Sequence, residues 1–404
     1  MKTSTLVTAL TILSLYQATA DEIDLTATDQ YGGLLAIKTE ATGWFRTEKM
    51  QGRWVFVTPD GHGYLALGAN HVGKYLDRQA KEMGLLDRFG GSREEAAEFL
   101  IEAMAELGLN SGEAYHPIAP EIKDRLPWVA NLRFPFPSKF AFDVFDPDVV
   151  DRIHRSFEEQ GEEFRENRFV LGVACADLPI WDERRIGFYE ALPPGAPGRI
   201  ALESARKAGH SDDEFLGQVA DTLYQELRSA VAAAAPNHLF FGERFYLRSA
   251  PDEVIAAVGR QVDVFCTQAL ILSPQRPPEW QDFQRGGYDH EAALIGDKPM
   301  LMVDWAAPFS LGKTFQTERG EIRSEERAAE DAAAWMVAAM ETPYLVGIFK
   351  CQLLGTHAND AWFDGRARRT YLRDDGTPFG HRTEITRRAH EEALRVGYEA
   401  AIQK

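Results

Sequence analysis

The feature that most constrains this chain is a regular alternation of short apolar runs with longer amphipathic stretches. The runs are Tyr64–Asn70, Leu109–Ala114, Trp128–Leu132, Phe169–Ala176, Leu239–Phe245, Val262–Gln268, Met300–Asp304 and Leu345–Gln352. Each has the length and the aliphatic or aromatic content of a strand covered on both faces. Between them lie stretches such as SREEAAEFLIEAMAELG, PDVVDRIHRSFEEQGEEFRE, DDEFLGQVADTLYQELRSAVAAAAP and SEERAAEDAAAWMVAAMET. Apolar residues recur there three and four apart, the period of a helix with one buried face. Asp146-Pro147 and Ser211-Asp212 read as helix starts.

Strands that alternate with helices build a parallel sheet. Eight of them predict an α/β fold of the (β/α)8 TIM barrel type. The doubly wound open sheet is the rival. Its glycine-rich dinucleotide fingerprint is missing after the first strand, where LALGANHV carries Asn and His instead. The preceding segment, GWFRTEKMQGRWVFVTPDGHGYLALG, reads as one or two β-hairpins turning at Asp60-Gly61 and capping the bottom or side of the barrel. No repeat of 20 to 50 residues and no low-complexity linker divides the chain, so residues 21–404 are expected to form a single domain.

Residues 1–20 read as a signal peptide. Lys2 supplies the positive start, Leu6 to Leu15 is mostly apolar, and Ala18-Thr19-Ala20 is a small-x-small cleavage site before Asp21. A periplasmic or secreted protein is expected, with no membrane association after cleavage. The formal net charge of −18 argues against a nucleic-acid partner, which would require basic patches. Cys175, Cys266 and Cys351 each sit in an apolar run without paired Cys or His spacing, so they read as buried free thiols.

In a barrel of this kind, functional groups come from the C-terminal strand ends and the loops beyond them. Here those positions are rich in polar and aromatic residues. They carry Asn70 and His71; Glu113, Tyr115 and His116; Arg133; Asp177, Trp181 and Asp182; Glu243 and Arg244; Gln268; Asp304 and Trp305; and Lys350, Gln352, His357 and Trp362. Carboxylates beside Trp and Tyr suit a carbohydrate, because flat rings stack on sugar C–H faces while carboxylates and amides hold hydroxyls. There is no serine-nucleophile elbow, HExxH or P-loop, so serine hydrolysis, zinc hydrolysis and phosphoryl transfer lack their parts. Nothing in the spacing of His71, His116 and His357 favours a metal site. Neither metal nor cofactor is expected.

The segment TGWFRTEKMQGRWVFVTPDGHGYLALGANHV resembles the opening of agarase-like glycoside hydrolases of family 50, clan A. The resemblance continues through DVFDPDVVDRI, RFVLGVACADLPIW, NHLFFGERFY, KPMLMVDWAAPF, LVGIFKCQLLGT and DDGTPF, in that order. It implies a glycosidase barrel acting on a poly- or oligosaccharide, with a galactan such as agar as the candidate. Asp177 would stand at or beside the acid/base position and Asp304 at the nucleophile position. Both replace the family's Glu, and the Asn that precedes its acid/base is Ala176 here. Retaining enzymes hold their carboxyl groups about 5–5.5 Å apart and inverting ones about 6.5–9.5 Å apart, so the shorter Asp pair leaves the stereochemical course open. Asn70, His71, Glu113, Tyr115, His116, Trp181, Glu243, Arg244, Trp305, Lys350, Gln352, His357 and Trp362 are the expected substrate contacts.

Two other readings suit the same cleft. One is a non-catalytic carbohydrate-binding protein on a degenerate glycosidase barrel. The other is a polysaccharide lyase using Tyr115 or His116 as base. If Asp304 were only structural, it would be tied to a neighbouring cation such as Lys350. The sequence does not specify an oligomeric state.

Overall fold

The structure is a computed structural model that describes residues 23–76, 85–268, 283–317, 320–355, 367–373 and 375–402. The expected signal peptide, His357 and Trp362 lie outside the described residues.

Four N-terminal strands, β1 (Leu34–Lys38), β2 (Arg46–Met50), β3 (Arg53–Val57) and β4 (His62–Tyr64), form an antiparallel sheet in the order β1-β4-β3-β2. The barrel strands follow: β5 (Ala66–Ala69), β6 (Ser111–Gly112), β7 (Trp128–Leu132), β8 (Val170–Asp177), β9 (Phe240–Tyr246), β10 (Phe265–Gln268) and β11 (Met300–Trp305). Short strands β12 (Phe309–Ser310), β13 (Phe315–Thr317) and β14 (Gly320–Ile322) come before the eighth barrel strand, β15 (Leu345–Lys350). β16 (Ala367–Arg368) then pairs with β12.

The eight-stranded sheet has the order β6-β5-β15-β11-β10-β9-β8-β7, and every pairing in it is parallel. A parallel bridge between Ala114 and Val129, with the Val129 amide donating to the Glu113 carbonyl at 3.0 Å, joins the two edges. The sheet therefore closes, as the eight-fold alternation requires.

Helices α1 (Leu85–Arg88), α2 (Arg93–Glu106), α3 (Pro147–Gly161), α4 (Glu183–Ala191), α5 (Pro197–Ala208), α6 (Asp212–Ala234), α7 (Asp252–Gln261), α8 (Arg285–Ile295), α9 (Glu325–Met340) and α10 (His381–Ile402) surround the barrel. Their starts follow local chemistry. Asp146 accepts from the Asp148 amide with Pro147 in the first turn, and Ser211 and Glu214 form a reciprocal capping box.

The interior is filled by Ala66, Val129, Leu171, Ala174, Phe241, Val264, Leu301, Val303 and Phe349. Tyr31, Phe45, Phe56 and Tyr64 of the N-terminal region pack into the same cluster. Arg53 reaches the carbonyls of Thr342 and Leu345, at the start of β15, so the antiparallel sheet seals the bottom of the barrel. Only the opposite mouth is left to carry a cleft. The three cysteines are buried free thiols.

Candidate active site

Backbone conformation marks the open mouth before any side chain does. Nine non-glycine residues among those described have left-handed φ. Seven of them, His71, Glu113, Tyr115, Ala176, Leu178, Arg248 and Asp304, lie at or just past C-terminal ends of barrel strands. Such conformations cost energy and persist where packing over-determines them, most often at functional sites.

Arg244 is the centre of the mouth. It is buried, with its guanidinium beneath two carboxylates from different strands. One terminal nitrogen pairs with Asp177 at the end of β8, and the other lies 2.7 Å from Asp304 near the end of β11. One guanidinium fork grips both groups, so their nearest oxygens fall well inside the upper limit of about 9.5 Å for a glycosidase pair. The cation facing Asp304 is thus Arg244 of β9. Lys350, the neighbour expected from the sequence, lies with its ammonium 4.6 Å from the Trp305 ring centroid and 5.2 Å from that of Tyr371.

Asp304 is held on further sides. Asn70 donates to its carboxylate at 2.6 Å, while the Asn70 carbonyl oxygen accepts from the Ala114 amide at 2.9 Å. Gln268 reaches the Asp304 main-chain carbonyl at 3.4 Å. Burial alone would raise the Asp304 pKa, but Arg244, the Asn70 hydrogen bond, His71 and His116 together hold it well below the usual carboxylate range. Asp304 is therefore ionised, with its side chain 11% exposed. Asp177 sits nearer the rim at 29%, and Lys139 donates to its main-chain carbonyl.

His71 and His116 stand beside this pair with ring centroids 4.0 Å apart. Their nitrogens and an Asp304 oxygen all lie within 4.8 Å of one another. Tyr115 faces inward below them. Its hydroxyl donates to the Gly242 carbonyl at 3.1 Å, and Arg244 lies 5.3 Å from its ring centroid. Buried in this way, Tyr115 has a packing role that a lyase base could not share.

Several expected contacts sit elsewhere. Glu243 is on the outer face of β9, between sheet and helices. It accepts from Trp181 at 3.2 Å and from Tyr224 of α6 at 3.0 Å. Burial raises its carboxyl above the ordinary range, partly offset by Arg185, Tyr224 and Trp181. Trp181 itself is 2% exposed, with Arg185 stacked 3.8 Å from its ring centroid. Trp305, also 2% exposed, stacks on Trp335 of α9 at 5.0 Å. Neither indole offers a face to a sugar. Glu113 is buried and accepts from the Val72 amide at 3.0 Å, which fixes the loop that carries His71. Gln352 is buried just beyond β15.

The outward turn of Glu243 has a local cause. Phe241 points into the barrel, so strict alternation would send Glu243 inward too. Gly242 adopts φ +70 and the β8–β9 register shifts here, so the parity changes and Arg244 takes the inward place. Sequence reasoning missed Lys139 at the rim and Asn131, which donates to the Tyr115 carbonyl at 3.2 Å. Lys139 lies in a loop with no strand signal. Asn131 could have been found as the one amide within the apolar β7 run.

No family model matches the sequence, and no curated protein is similar to it in sequence. The fold has clear relatives among solved structures. An agarase, AgWH50C, superposes with a TM-score of 0.74 at 18% identity, covering 92% of this chain and 67% of its own. An exo-β-agarase gives 0.74 at 18% identity, covering 95% and 70%. A β-glucuronidase from Ruminococcus gnavus is more distant, at 0.54 and 13% identity, covering 85% and 52%. The overall fold is thus shared with family 50 agarases.

Proposed function

We propose that this protein is an exported glycoside hydrolase acting on a poly- or oligosaccharide, periplasmic or secreted. A galactan such as agar is the first substrate to test. The observation that carries the reading is the meeting of two carboxylates, from β8 and β11, over one guanidinium at the open mouth of a closed barrel. Asp304, ionised and partly exposed, is suited to act as nucleophile or as the base that activates water. Asp177, nearer solvent, would take up a proton from water once an entering glycan separates it from Arg244, and pass that proton to the leaving oxygen. Asn70, His71, His116 and Gln352 would hold hydroxyls, and His357 and Trp362 remain candidates from the sequence. Fold likeness to agarases supports the substrate class.

The test is reducing-end release from a panel of marine and bacterial glycans, with the anomer of the first product read by NMR. Release lost in Asp304→Asn supports the assignment. A panel with no turnover refutes it. One observation favours a second reading, a carbohydrate-binding protein without turnover: Arg244 occupies the space between the two carboxylates. A glycan that raises the melting temperature without releasing reducing ends selects that reading. Export is tested separately by mass spectrometry, which should find the mature N-terminus at Asp21.

A further inference from the structure

His71, His116 and Asp304 come from three separate parts of the chain. His71 follows β5, His116 lies in the loop after β6, and Asp304 is the penultimate residue of β11. Two imidazoles and a carboxylate with ligand atoms mutually within 4.8 Å are the donor set of a borderline transition metal. All three are partly exposed at the mouth, so an ion has a path in.

We infer that His71, His116 and Asp304 bind one divalent transition-metal ion of the zinc, cobalt or nickel class. The surroundings support these ligands as such. Metal-binding carboxylates are normally held by outer hydrogen bonds that fix their direction. Asp304 has one such hydrogen bond, from Asn70 at 2.6 Å on one oxygen, and an ion pair with Arg244 at 2.7 Å on the other. A carboxylate has about four lone-pair positions, so these contacts leave room for a metal bond. Asp177 takes the other side of the Arg244 fork, so the guanidinium charge facing the ion is shared between two anions. An ion bound at about 2.0–2.1 Å requires the three donors to draw closer than the 4.8 Å within which they now stand. Magnesium and calcium prefer six or more oxygens, so two imidazoles select against them.

This site shares Asp304 with the proposed hydrolase but does not depend on hydrolysis. The test is run without glycan, so its outcome is separate from the turnover assay. Full-length protein stripped with a chelator is titrated with zinc chloride by calorimetry and with cobalt chloride by visible absorption. Zinc should bind with a stoichiometry of one, cobalt should give d–d bands, and excess magnesium should displace neither. His71→Ala and His116→Ala should each weaken zinc binding by about a hundredfold, at or above what loss of an outer-shell partner causes, and abolish the cobalt bands. His71→Gln and His116→Gln keep the bulk of the side chain and serve where the Ala variants fail to fold. The triple variant His210→Ala/His290→Ala/His381→Ala removes other histidines and should leave binding intact. Absence of saturable zinc binding overturns the inference. So does binding that survives both His71 and His116 variants, or binding lost in the triple variant.

Discussion

Two ionic clusters share strand β9, one on each side of the sheet. On the inner side Arg244 joins Asp177 and Asp304 beneath an open mouth. On the outer side Glu243 accepts from Trp181 and Tyr224, with Arg185 stacked on Trp181, sealed between sheet and helices. The residue types are nearly the same and the positions adjacent, yet the charges behave differently. The inner Asp304 is held ionised by a cation at 2.7 Å, while burial lifts the outer Glu243 toward its neutral form. A buried acid in direct contact with a guanidinium keeps its charge, and one bound mainly by neutral donors tends to lose it. The inner cluster can therefore act on a ligand, whereas the outer one holds helices to the sheet.

The largest expected effect breaks the inner cluster. Arg244→Met leaves two carboxylates facing each other without a cation and should cost on the order of 3–5 kcal/mol in urea unfolding. Arg185→Met removes a cation from a carboxyl already inclined to be neutral, and should cost only about 1–3 kcal/mol. Equal losses in the two variants would show that the clusters are energetically alike.

Next in size is Asp304→Asn. Under the proposed reaction, kcat should fall at least about a hundredfold, some 2.7 kcal/mol in barrier, with glycan affinity near wild type. Stability should also fall, by about 1.5–3 kcal/mol, because the buried Arg244 loses one of its two counter-charges while keeping Asp177. A protein destabilised to this degree but proportionately active would make the inner cluster structural as well. Asp177→Asn separates the roles further. Loss of a general acid costs about 10²–10⁴ in rate on a poor leaving group and much less on an activated aryl glycoside.

The contrast also shows where sequence reasoning succeeds. The strand at Trp128–Leu132 was expected at the bounds observed, and β8, β9 and β11 within a residue at each end. Apolar runs that are buried on both faces state their own limits. Asp304, following four apolar residues, was legible as a carboxylate at a strand end for the same reason. Side-chain direction was not legible at Glu243-Arg244, because a single glycine at φ +70 reverses the parity of the strand after it. Trp181 and Trp305, expected as substrate contacts, are covered instead; an indole near a strand end looks alike in sequence whether a helix covers it or not. Their partners, Arg185 and Trp335, come from helices whose packing the local sequence does not record. The Arg244 clamp joins three strands, and nothing local to any of them specifies it.

The smallest expected effect tests the outer cluster alone. Glu243→Gln keeps an oxygen to accept from Trp181 and Tyr224, and puts an amide where the other carboxyl oxygen now lies buried without a hydrogen-bond partner. The folded-state pKa of Glu243 is raised above its unfolded value, so the folded protein holds this proton more tightly than the unfolded chain. Its contribution to stability is fully present below the unfolded pKa and is lost as pH rises through the folded value. Gln cannot ionise and loses nothing over that window. In acid, wild type and variant should therefore agree within about 0.5 kcal/mol, and the variant should become relatively more stable as pH rises. Turnover should stay within about twofold, since loss of an interaction made only in the transition state is what lowers kcat, and Glu243 faces away from the mouth. Urea unfolding across pH, paired with a single turnover assay, measures both. A pH-independent difference, or a large loss of activity, would move Glu243 into the working part of the molecule and erase the distinction between the two faces of β9.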